Sequence, residues 1–239
     1  LYTMDGFSIG ITIFGGLGLF LFGMKIMSES LQQAAGDRLK GILWKVSNNR
    51  IKGVFTGLFI TSIIQSSSAT TVMLVSFVSA GLLTLQQSIG IIFGANIGTT
   101  VTGWLVALIG FKVKITAVAL PCIGIGFFIR FVSNEKVRYY GEVLLGFGVL
   151  FFGLDIMSNA VKDLRNSEAI LNMMTRFSAV DIPSTLIVVA IGTIVTMIVQ
   201  SSSATVAMTM TLAVNGLIDF PTACAFILGE NIGTTITAN

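Results

Sequence analysis

Two short polar runs interrupt long apolar stretches of the chain near their middles. They are Gln65-Ser66-Ser67-Ser68 and Gln200-Ser201-Ser202-Ser203. Serine is a preferred helix N-cap, so Ser67 or Ser68 is predicted to begin a helical arm at residue 69. The first turn of such an arm presents backbone N–H groups and a positive dipole end, which bind anions. With the added hydroxyls and glutamine amides, two such tips could cup one small oxyanion without Arg or Lys.

A second polar pattern follows each serine run at the same spacing. Gly94-Ala95-Asn96-Ile97-Gly98-Thr99-Thr100 follows the first, and Gly229-Glu230-Asn231-Ile232-Gly233-Thr234-Thr235 follows the second. Glycine permits an unwound stretch, in which carbonyls, the Asn side chain and Thr hydroxyls offer hard oxygen ligands suited to Na⁺. Glu230 replaces Ala95 in this pattern, and we interpret it as an extra cation or proton site or as a residue of a water-filled vestibule.

Structural explanations compete with these functional ones. Ser and Thr in membrane helices often bond back to backbone carbonyls. Gly90, Gly94 and Gly98 form a GxxxGxxxG row that by itself indicates tight helix packing. Lys25 and Asp155 lie at matched span ends and are interpreted as residues that reach the membrane interface. Recurrence of both polar patterns at one spacing favours function over structure alone.

The composition places these motifs in a bilayer. Apolar residues make up 54% of the 239 residues and charged residues 10%, against about 25% charged in soluble chains. Mean hydropathy is +0.91. A net charge of +3 is too small and scattered for a nucleic-acid surface. The absence of histidine excludes a Ser-His-Asp triad, and with no Lys or Asp beside the serines we do not expect an enzyme.

Length decides which apolar stretches could cross a membrane. Those at 7–28, 88–110, 113–133 and 142–160 suffice for a core about 30 Å thick. Those at 53–83 and 183–218 are interrupted, and the arms of the first are too short to cross alone. Each interrupted stretch is therefore a re-entrant hairpin or one broken span. The charged segment 29–52 has apolar residues at near-helical spacing and is read as an interfacial amphipathic helix or a solvated loop helix.

An internal repeat sets the architecture. Comparison of 57–102 with 192–237, a shift of 135, gives 20 identities in 46 positions without a gap, against about four by chance. If the interrupted stretches are re-entrant, three spans separate Gln65 from Gln200, so the second copy is inverted. The predicted fold class is an all-α integral membrane protein with inverted-topology repeats, re-entrant helical hairpins and broken transmembrane helices. Its predicted parts are the first repeat (1–110), a connecting span and loop (111–141), and the second repeat (142–239), apparently truncated at its C-terminal end.

Loop charge suggests an orientation. The loops 29–52 and 130–141 carry eight Lys and Arg residues, and the loops 111–114 and 161–182 carry five. The positive-inside rule places the first pair in the cytoplasm. We therefore expect a multi-pass protein of the cell membrane.

At these motifs the sequence resembles the type II sodium-phosphate cotransporter family, whose bacterial members share paired QSSS motifs, each followed by a G-x-N-I-G-T-[ST] stretch. The resemblance implies uptake of inorganic phosphate by alternating access, with Na⁺ as the coupling ion and no organic cofactor. It implies phosphate contacts from Gln65, Ser66, Ser67, Ser68, Gln200, Ser201, Ser202 and Ser203. It implies Na⁺ ligands among Ser68, Thr70, Asn96, Thr99, Thr100, Ser203, Thr205, Asn231, Thr234 and Thr235. Bacterial members often end in a PhoU-like helical domain, which these 239 residues do not include.

Other functions stay open on the residues alone. The same serine chemistry suits a Na⁺-coupled symporter of another small anion, such as a carboxylate. A passive anion channel is a further alternative, although doubled sites in inverted repeats favour alternating access. A homodimer is expected from the architecture.

Overall fold

The chain folds into helices throughout the part that the structure describes. The computed structural model describes residues 6–44, 49–110, 115–164 and 178–238, and these ranges contain no β-strand. Their α-helices are α1 (Gly6–Trp44), α2 (Arg50–Ile64), α3 (Ser67–Ser79), α4 (Leu85–Leu105), α5 (Ile115–Ile129), α6 (Glu135–Leu164), α7 (Ile182–Val199), α8 (Ser202–Val214) and α9 (Phe220–Thr234). A π-helical turn, Val106–Gly110, extends α4, and a 3₁₀ turn, Thr235–Ala238, follows α9.

Four helical segments within the described ranges are long and apolar enough to cross a membrane. They are Phe7–Ala35, Leu85–Gly110, Glu135–Leu164 and Ile182–Val199. The predicted spans at 7–28, 88–110 and 142–160 are confirmed as such segments. Of the span predicted at 113–133, the structure describes a helix from Ile115 to Ile129, and residues 113 and 114 lie outside the described residues. Residues 111–114 and 165–177, which contributed to the orientation prediction, lie outside the described residues.

The breaks in the two interrupted stretches fall at the glutamines. Gln65 and Gln200 adopt the left-handed conformation, with φ of 58° and 55°, and end α2 and α7. The next residues, Ser66 and Ser201, are extended and act as the N-caps of α3 and α8. The prediction that Ser67 or Ser68 is the cap is therefore wrong by one or two residues. The left-handed glutamine reverses the chain early enough for the first serine to accept the capping hydrogen bond.

Each break turns the chain back on itself. Thr61 Oγ1 donates to Thr70 Oγ1 at 3.0 Å, although nine residues separate them. A continuous helix would place such residues about 13.5 Å apart along its axis. Thr196 and Thr205 repeat the contact at 3.0 Å in the second copy. This geometry is compatible with the predicted hairpins.

The helix through Asn96 does not unwind. α4 is continuous from Leu85 to Leu105, so the broken helix predicted at Gly94–Gly98 is wrong. The glycines serve close packing instead: a Cβ on Gly94 would clash with the Val54 carbonyl oxygen, and one on Gly98 would lie 2.9 Å from the Leu58 carbonyl oxygen. α4 thus packs on α2 with its backbone almost in contact.

The charged segment after the first span continues as helix. α1 runs without interruption from Gly6 to Trp44, so helix is confirmed for most of the segment predicted at 29–52. The side chains of residues 36–48 lie outside the described part, and the choice between an interfacial and a solvated helix stays open.

A two-fold relationship connects α1 and α6. A Cβ on Gly16 would lie 2.9 Å from the Gly153 oxygen, and one on Gly23 would lie 2.6 Å from the Gly146 oxygen. The earlier glycine of α1, Gly16, meets the later glycine of α6, and Gly23 meets the earlier one. The two helices are therefore antiparallel. The shift of 130 that relates Gly16 to Gly146 also relates Gly23 to Gly153, so each contact is the image of the other. A two-fold axis perpendicular to these helices, as inverted repeats require, accounts for this pairing.

The largest core lies at this crossing and supports the second serine tip. Phe20, Phe151, Leu154 and Met157 are each at most 1% exposed. Ala204 and Ala207 of α8 belong to the same cluster. The N-terminal turn of α8 is therefore held against the α1–α6 pair.

Candidate functional site

A cavity of about 370 Å³ lies where the two serine tips meet α1. This volume falls in the range of small-molecule sites, about 300–1,000 Å³. We call it the QSSS cavity. It is lined by the two tips and by one face of α1 together with Val199: Leu21, Met24, Lys25, Ser28, Glu29, Gln32, Gln65, Ser66, Ser67, Ser68, Val199, Gln200, Ser201, Ser202 and Ser203. All eight residues predicted to contact an oxyanion are thus brought to one place.

The two tips touch at their centre. Ser67 Oγ lies 3.5 Å from Ser202 Oγ, and both residues are buried. Ser66 Oγ accepts from the Ala69 N–H at 3.1 Å, and Ser201 Oγ accepts from the Ala204 N–H at 3.3 Å. Two helix N-termini therefore converge on the cavity, each equivalent to about half a positive charge. This convergence suits a small anion.

Gln65 is oriented by fixed neighbours. Its side-chain nitrogen donates to the Ser62 carbonyl oxygen at 2.5 Å, and its Oε1 accepts from Thr102 Oγ1 at 2.9 Å. Thr102 Oγ1 also lies 3.4 Å from Ser203 Oγ of the other tip. The path Gln65–Thr102–Ser203 connects the two repeats through buried polar atoms.

One wall of the QSSS cavity comes from α1, which the motifs did not indicate. Lys25, Ser28, Glu29 and Gln32 all line it. Lys25 Nζ lies 3.9 Å from Glu29 Oε1, and the two side chains are 70% and 58% exposed. The interpretation of Lys25 as an interface residue therefore misses its position at the cavity, where a cation attracts anions.

The two Asn-Ile-Gly-Thr-Thr motifs meet at a second cavity of about 320 Å³, the Asn–Thr cavity. Asn96 and Asn231 both line it, as do Thr99 and Thr100 of the first motif. Its other walls are formed by Gly103, Trp104, Ala107, Val206, Met210 and Ile227. Thr99 lies one helical turn from Thr102, whose hydroxyl reaches the QSSS cavity through Gln65.

The remaining predicted sodium ligands are not gathered at one point. Ser68 and Ser203 line the QSSS cavity, whereas Thr70 and Thr205 are buried behind it against Thr61 and Thr196. Several predicted threonine ligands donate to backbone carbonyls of the preceding turn: Thr70, Thr99, Thr100, Thr205, Thr234 and Thr235. A hydroxyl that donates its proton this way keeps lone pairs with which it could coordinate a cation.

Glu230 lies inside the protein rather than in a vestibule. It is 2% exposed, and its Oε1 accepts a hydrogen bond from Thr209 Oγ1 at 2.6 Å. Among the described residues, no hydrogen-bond partner faces its Oε2. This burial contradicts the vestibule interpretation, and the cation or proton site stays a prediction.

The site residues that sequence reasoning missed belong to α1 and α4. Lys25 and Gln32 carry no motif, since only the crossing of α1 with the tips brings them to the cavity. Thr102 carries a usable signal, because it recurs as Thr237 and follows Thr99 by one turn of the same helix.

Comparison with known proteins gives a family match over most of the chain. A family model described as Na⁺/Pi-cotransporter matches residues 19–159 and 166–239. The uncharacterized protein YqeW of Bacillus subtilis (strain 168) is 30% identical over 92% of this chain and 68% of its own length. The putative inorganic phosphate export protein YjbB of Escherichia coli (strain K12) is 26% identical over 95% of this chain. The chain spans 40% of the length of that relative.

A shorter region of the chain has a higher sequence identity to an animal protein. The sodium-dependent phosphate transport protein 2A of Rattus norvegicus is 40% identical over 97 residues, which cover 39% of this chain and 15% of that protein. No solved structure matches this chain.

Proposed function

This chain belongs to the Na⁺/Pi-cotransporter family, and on that premise we propose that it imports inorganic phosphate with Na⁺ by alternating access. The observation that carries the proposal is the QSSS cavity, where two buried serine tips and two helix N-termini converge on one volume. A cavity of this kind offers many hydrogen-bond donors and few negative charges, which suits a tetrahedral oxyanion.

Phosphate binds at the tips in this proposal. The serine hydroxyls and the backbone N–H groups of the first turns of α3 and α8 donate to its oxygens. The Gln65 carboxamide is held by Thr102 and Ser62 and completes one side of the cup. Lys25 adds positive potential at the wall formed by α1, which Glu29 at 3.9 Å cancels in part, so it raises the local concentration of anions modestly.

Sodium binds beside the phosphate rather than in contact with a cluster of carboxylates. Asn96, Asn231, Thr99 and Thr100 supply hard oxygens at the Asn–Thr cavity, and Ser68 and Ser203 supply oxygens nearer the phosphate. Thr102 connects the two cavities. It lies one helical turn from Thr99 at the Asn–Thr cavity, and its hydroxyl donates a hydrogen bond to Gln65 at the QSSS cavity. Sodium binding would then reinforce the orientation of Gln65 through Thr102 and favour phosphate binding, and phosphate binding would favour sodium binding by the same factor.

The direction of transport follows the gradients imposed on a reversible carrier. Each net positive charge that moves inward gains about 2.3 kcal/mol per 100 mV of membrane potential. Import driven by Na⁺ is the leading direction. Export is the second candidate, and it is supported by the name of the relative YjbB, a putative phosphate export protein.

The test uses the full-length protein in proteoliposomes and measures radiolabelled phosphate flux in both directions. An inward Na⁺ gradient should drive accumulation above equilibrium, and excess succinate or sulfate should not compete. Accumulation of succinate instead would support the carboxylate symporter. Flux that never exceeds equilibrium would support a channel, and flux driven only outward would support export. The matched control is the Ser67→Ala/Ser202→Ala double variant, which differs from wild type only in the two serine hydroxyls at the centre of the cavity.

A further inference from the structure

A third cavity, of about 540 Å³, lies among the ends of α1, α5 and α6. We call it the arginine cavity, and it is lined by Gln33, Arg130, Phe131, Arg138, Tyr139 and Glu142. None of these residues lines the QSSS cavity or the Asn–Thr cavity. The proposed phosphate and sodium sites therefore leave the arginine cavity without a role.

The two arginines give this cavity an excess of positive charge. Arg130 Nε lies 3.3 Å from Glu142 Oε1, and Glu142 Oε2 accepts a hydrogen bond from Ser30 Oγ at 3.0 Å. Both oxygens of the carboxylate are thus engaged within the protein. Arg138 forms no ion pair with a described residue, and its guanidinium lies 5.6 Å from the centroid of the Tyr139 ring. The charge of Arg138 is therefore left for a ligand, and a guanidinium has five N–H donors to offer it.

A groove of about 280 Å³ continues from the arginine cavity along α1. It shares three lining residues with the cavity, and its far end is apolar and is formed by Phe22, Ile26 and Leu145. Gln33 and Phe22 lie about 16 Å apart along the helix axis, and half of a hydrocarbon core measures about 15 Å. Glu29 also lines the groove, and Lys25 Nζ at 3.9 Å offsets its charge. The groove thus extends about as deep as one leaflet of the bilayer.

Exposed aromatic side chains place this end of the helices at the membrane surface. Phe128, Phe131 and Tyr140 are all exposed. Phe127 meets Phe128 and Phe131 edge-on, with ring centroids 5.8 Å and 5.2 Å away. Aromatic side chains concentrate where a membrane meets water. The arginine cavity therefore lies at the depth of lipid headgroups, and the apolar end of the groove lies at the depth of acyl chains.

The cavity and the groove together fit one kind of ligand. Guanidinium groups bind phosphate through paired, charge-assisted hydrogen bonds. Basic pockets between transmembrane helices on the cytoplasmic side, where loop charge predicts residues 130–141 to lie, bind lipid headgroups. A free phosphate ion would use the arginines and leave the groove empty, whereas a phospholipid fills both.

We propose that the arginine cavity binds the phosphodiester headgroup of an anionic phospholipid, one of whose acyl chains lies in the groove. A single phosphodiester, as in phosphatidylglycerol, matches the one arginine that has no carboxylate partner among the described residues. The site is independent of the proposed function, because its residues take no part in phosphate or sodium binding.

The test measures lipid binding to the purified full-length protein in detergent by native mass spectrometry. Phosphatidylglycerol should bind at lower concentrations than phosphatidylethanolamine with the same acyl chains. Arg138→Gln should raise the concentration for half-occupancy by phosphatidylglycerol roughly tenfold, since it removes a charge-assisted contact. Arg130→Gln/Glu142→Gln should weaken binding too, and it leaves no carboxylate without its partner. The control is Arg50→Gln/Lys52→Gln, which removes two exposed charges that line neither the cavity nor the groove.

Shorter and soluble ligands separate a lipid from a free phosphate ester. Dihexanoyl phosphatidylglycerol should bind more weakly than the long-chain lipid, and glycerol 3-phosphate should not displace that lipid. Displacement by equal concentrations of glycerol 3-phosphate would assign the cavity to a soluble ligand and overturn the proposal. Equal affinities for the two long-chain lipids would overturn it as well, and this comparison needs no variant. Wild-type affinity in Arg138→Gln and in Arg130→Gln/Glu142→Gln would place the bound lipid elsewhere on the protein.

Discussion

Ser67 Oγ lies 3.5 Å from Ser202 Oγ, across 135 residues of sequence. The same shift of 135 relates the two repeats, so these serines are equivalent residues that meet at the two-fold axis. A ligand between them is therefore contacted by matched groups from both repeats. We therefore expect the two repeats to contribute about equally to the proposed phosphate site.

Removal of either central serine hydroxyl should weaken phosphate binding. Ser67→Ala and Ser202→Ala each delete one donor to a charged ligand, and such a bond contributes about 1.5–3 kcal/mol, which corresponds to roughly a tenfold or larger rise in Kd. Phosphate binding to the purified protein measures this. Ser76→Ala is the control, because Ser76 is exposed and bonds its own helix. A normal phosphate affinity in both variants would contradict phosphate binding by these two serines.

Loss of the cavity asparagines should alter the sodium requirement more than the phosphate affinity at saturating Na⁺. Asn96→Ala and Asn231→Ala each remove one proposed oxygen ligand from the Asn–Thr cavity. The Na⁺ concentration for half-maximal phosphate uptake should rise in both. Thr56→Ala serves as the control, since Thr56 lines neither cavity and bonds the Lys52 carbonyl oxygen. Unchanged sodium dependence would argue against the ligand role of Asn96 and Asn231.

Neutralising Lys25 should lower the apparent phosphate affinity and its dependence on salt. Lys25 is 70% exposed, so screening limits the effect to a few-fold change at low ionic strength. Lys25→Met should show this loss, and Lys25→Arg should restore most of the affinity. The KM for phosphate at several salt concentrations is the measurement. An equal loss in Lys136→Met, which removes a charge far along the chain at the start of α6, would show that net charge alone matters.

The internal repeat indicates the two serine tips of the candidate site, whereas the residues of α1 that line the same cavity are brought there by tertiary packing. The serine tips were found because a polar run is costly among apolar residues and recurred at one spacing. The cap at Ser66 was missed because left-handed residues are usually glycine, and here the position is taken by Gln65. The wall formed by Lys25 and Glu29 depends on how α1 crosses the tips, which no local pattern encodes.

The glycines around Asn96 led to a second wrong prediction, that of an unwound helix. Glycines such as Gly94 and Gly98 allow an unwound helical segment, and they also allow two helices to cross closely. The local sequence is the same in either case. The structure resolves the choice, because α4 is continuous and these glycines face the backbone of α2.

A side chain at the helix crossings should therefore destabilise the fold. A Cβ on Gly94 would clash with the Val54 carbonyl oxygen, and one on Gly229 with the Val189 carbonyl oxygen. Backbone atoms cannot rotate away, so Gly94→Ala and Gly229→Ala should lower the thermal unfolding midpoint in detergent or prevent folding. Gly18→Ala is the control, since a Cβ there meets nothing within 4 Å. Equal midpoints for Gly94→Ala and Gly18→Ala would contradict the close crossing.

The N-cap of α9 should make stability depend on acidity. Hydrogen bonds from the Thr222 side chain and backbone N–H lower the pKa of Asp219 below its ordinary value. A carboxyl whose pKa is lower when folded stabilises the fold above its unfolded pKa, about 3.9, and this contribution is lost as pH falls through the folded value.

Wild type should therefore lose more stability than Asp219→Asn as pH falls from neutral to about 3, because asparagine still caps the helix but does not titrate. Thermal unfolding in detergent across the pH series measures the difference. At neutral pH Asp219→Asn should be slightly less stable than wild type, since the carboxylate also interacts with the positive end of α9. Parallel pH profiles for the two proteins would show that the Asp219 cap does not contribute through its charge.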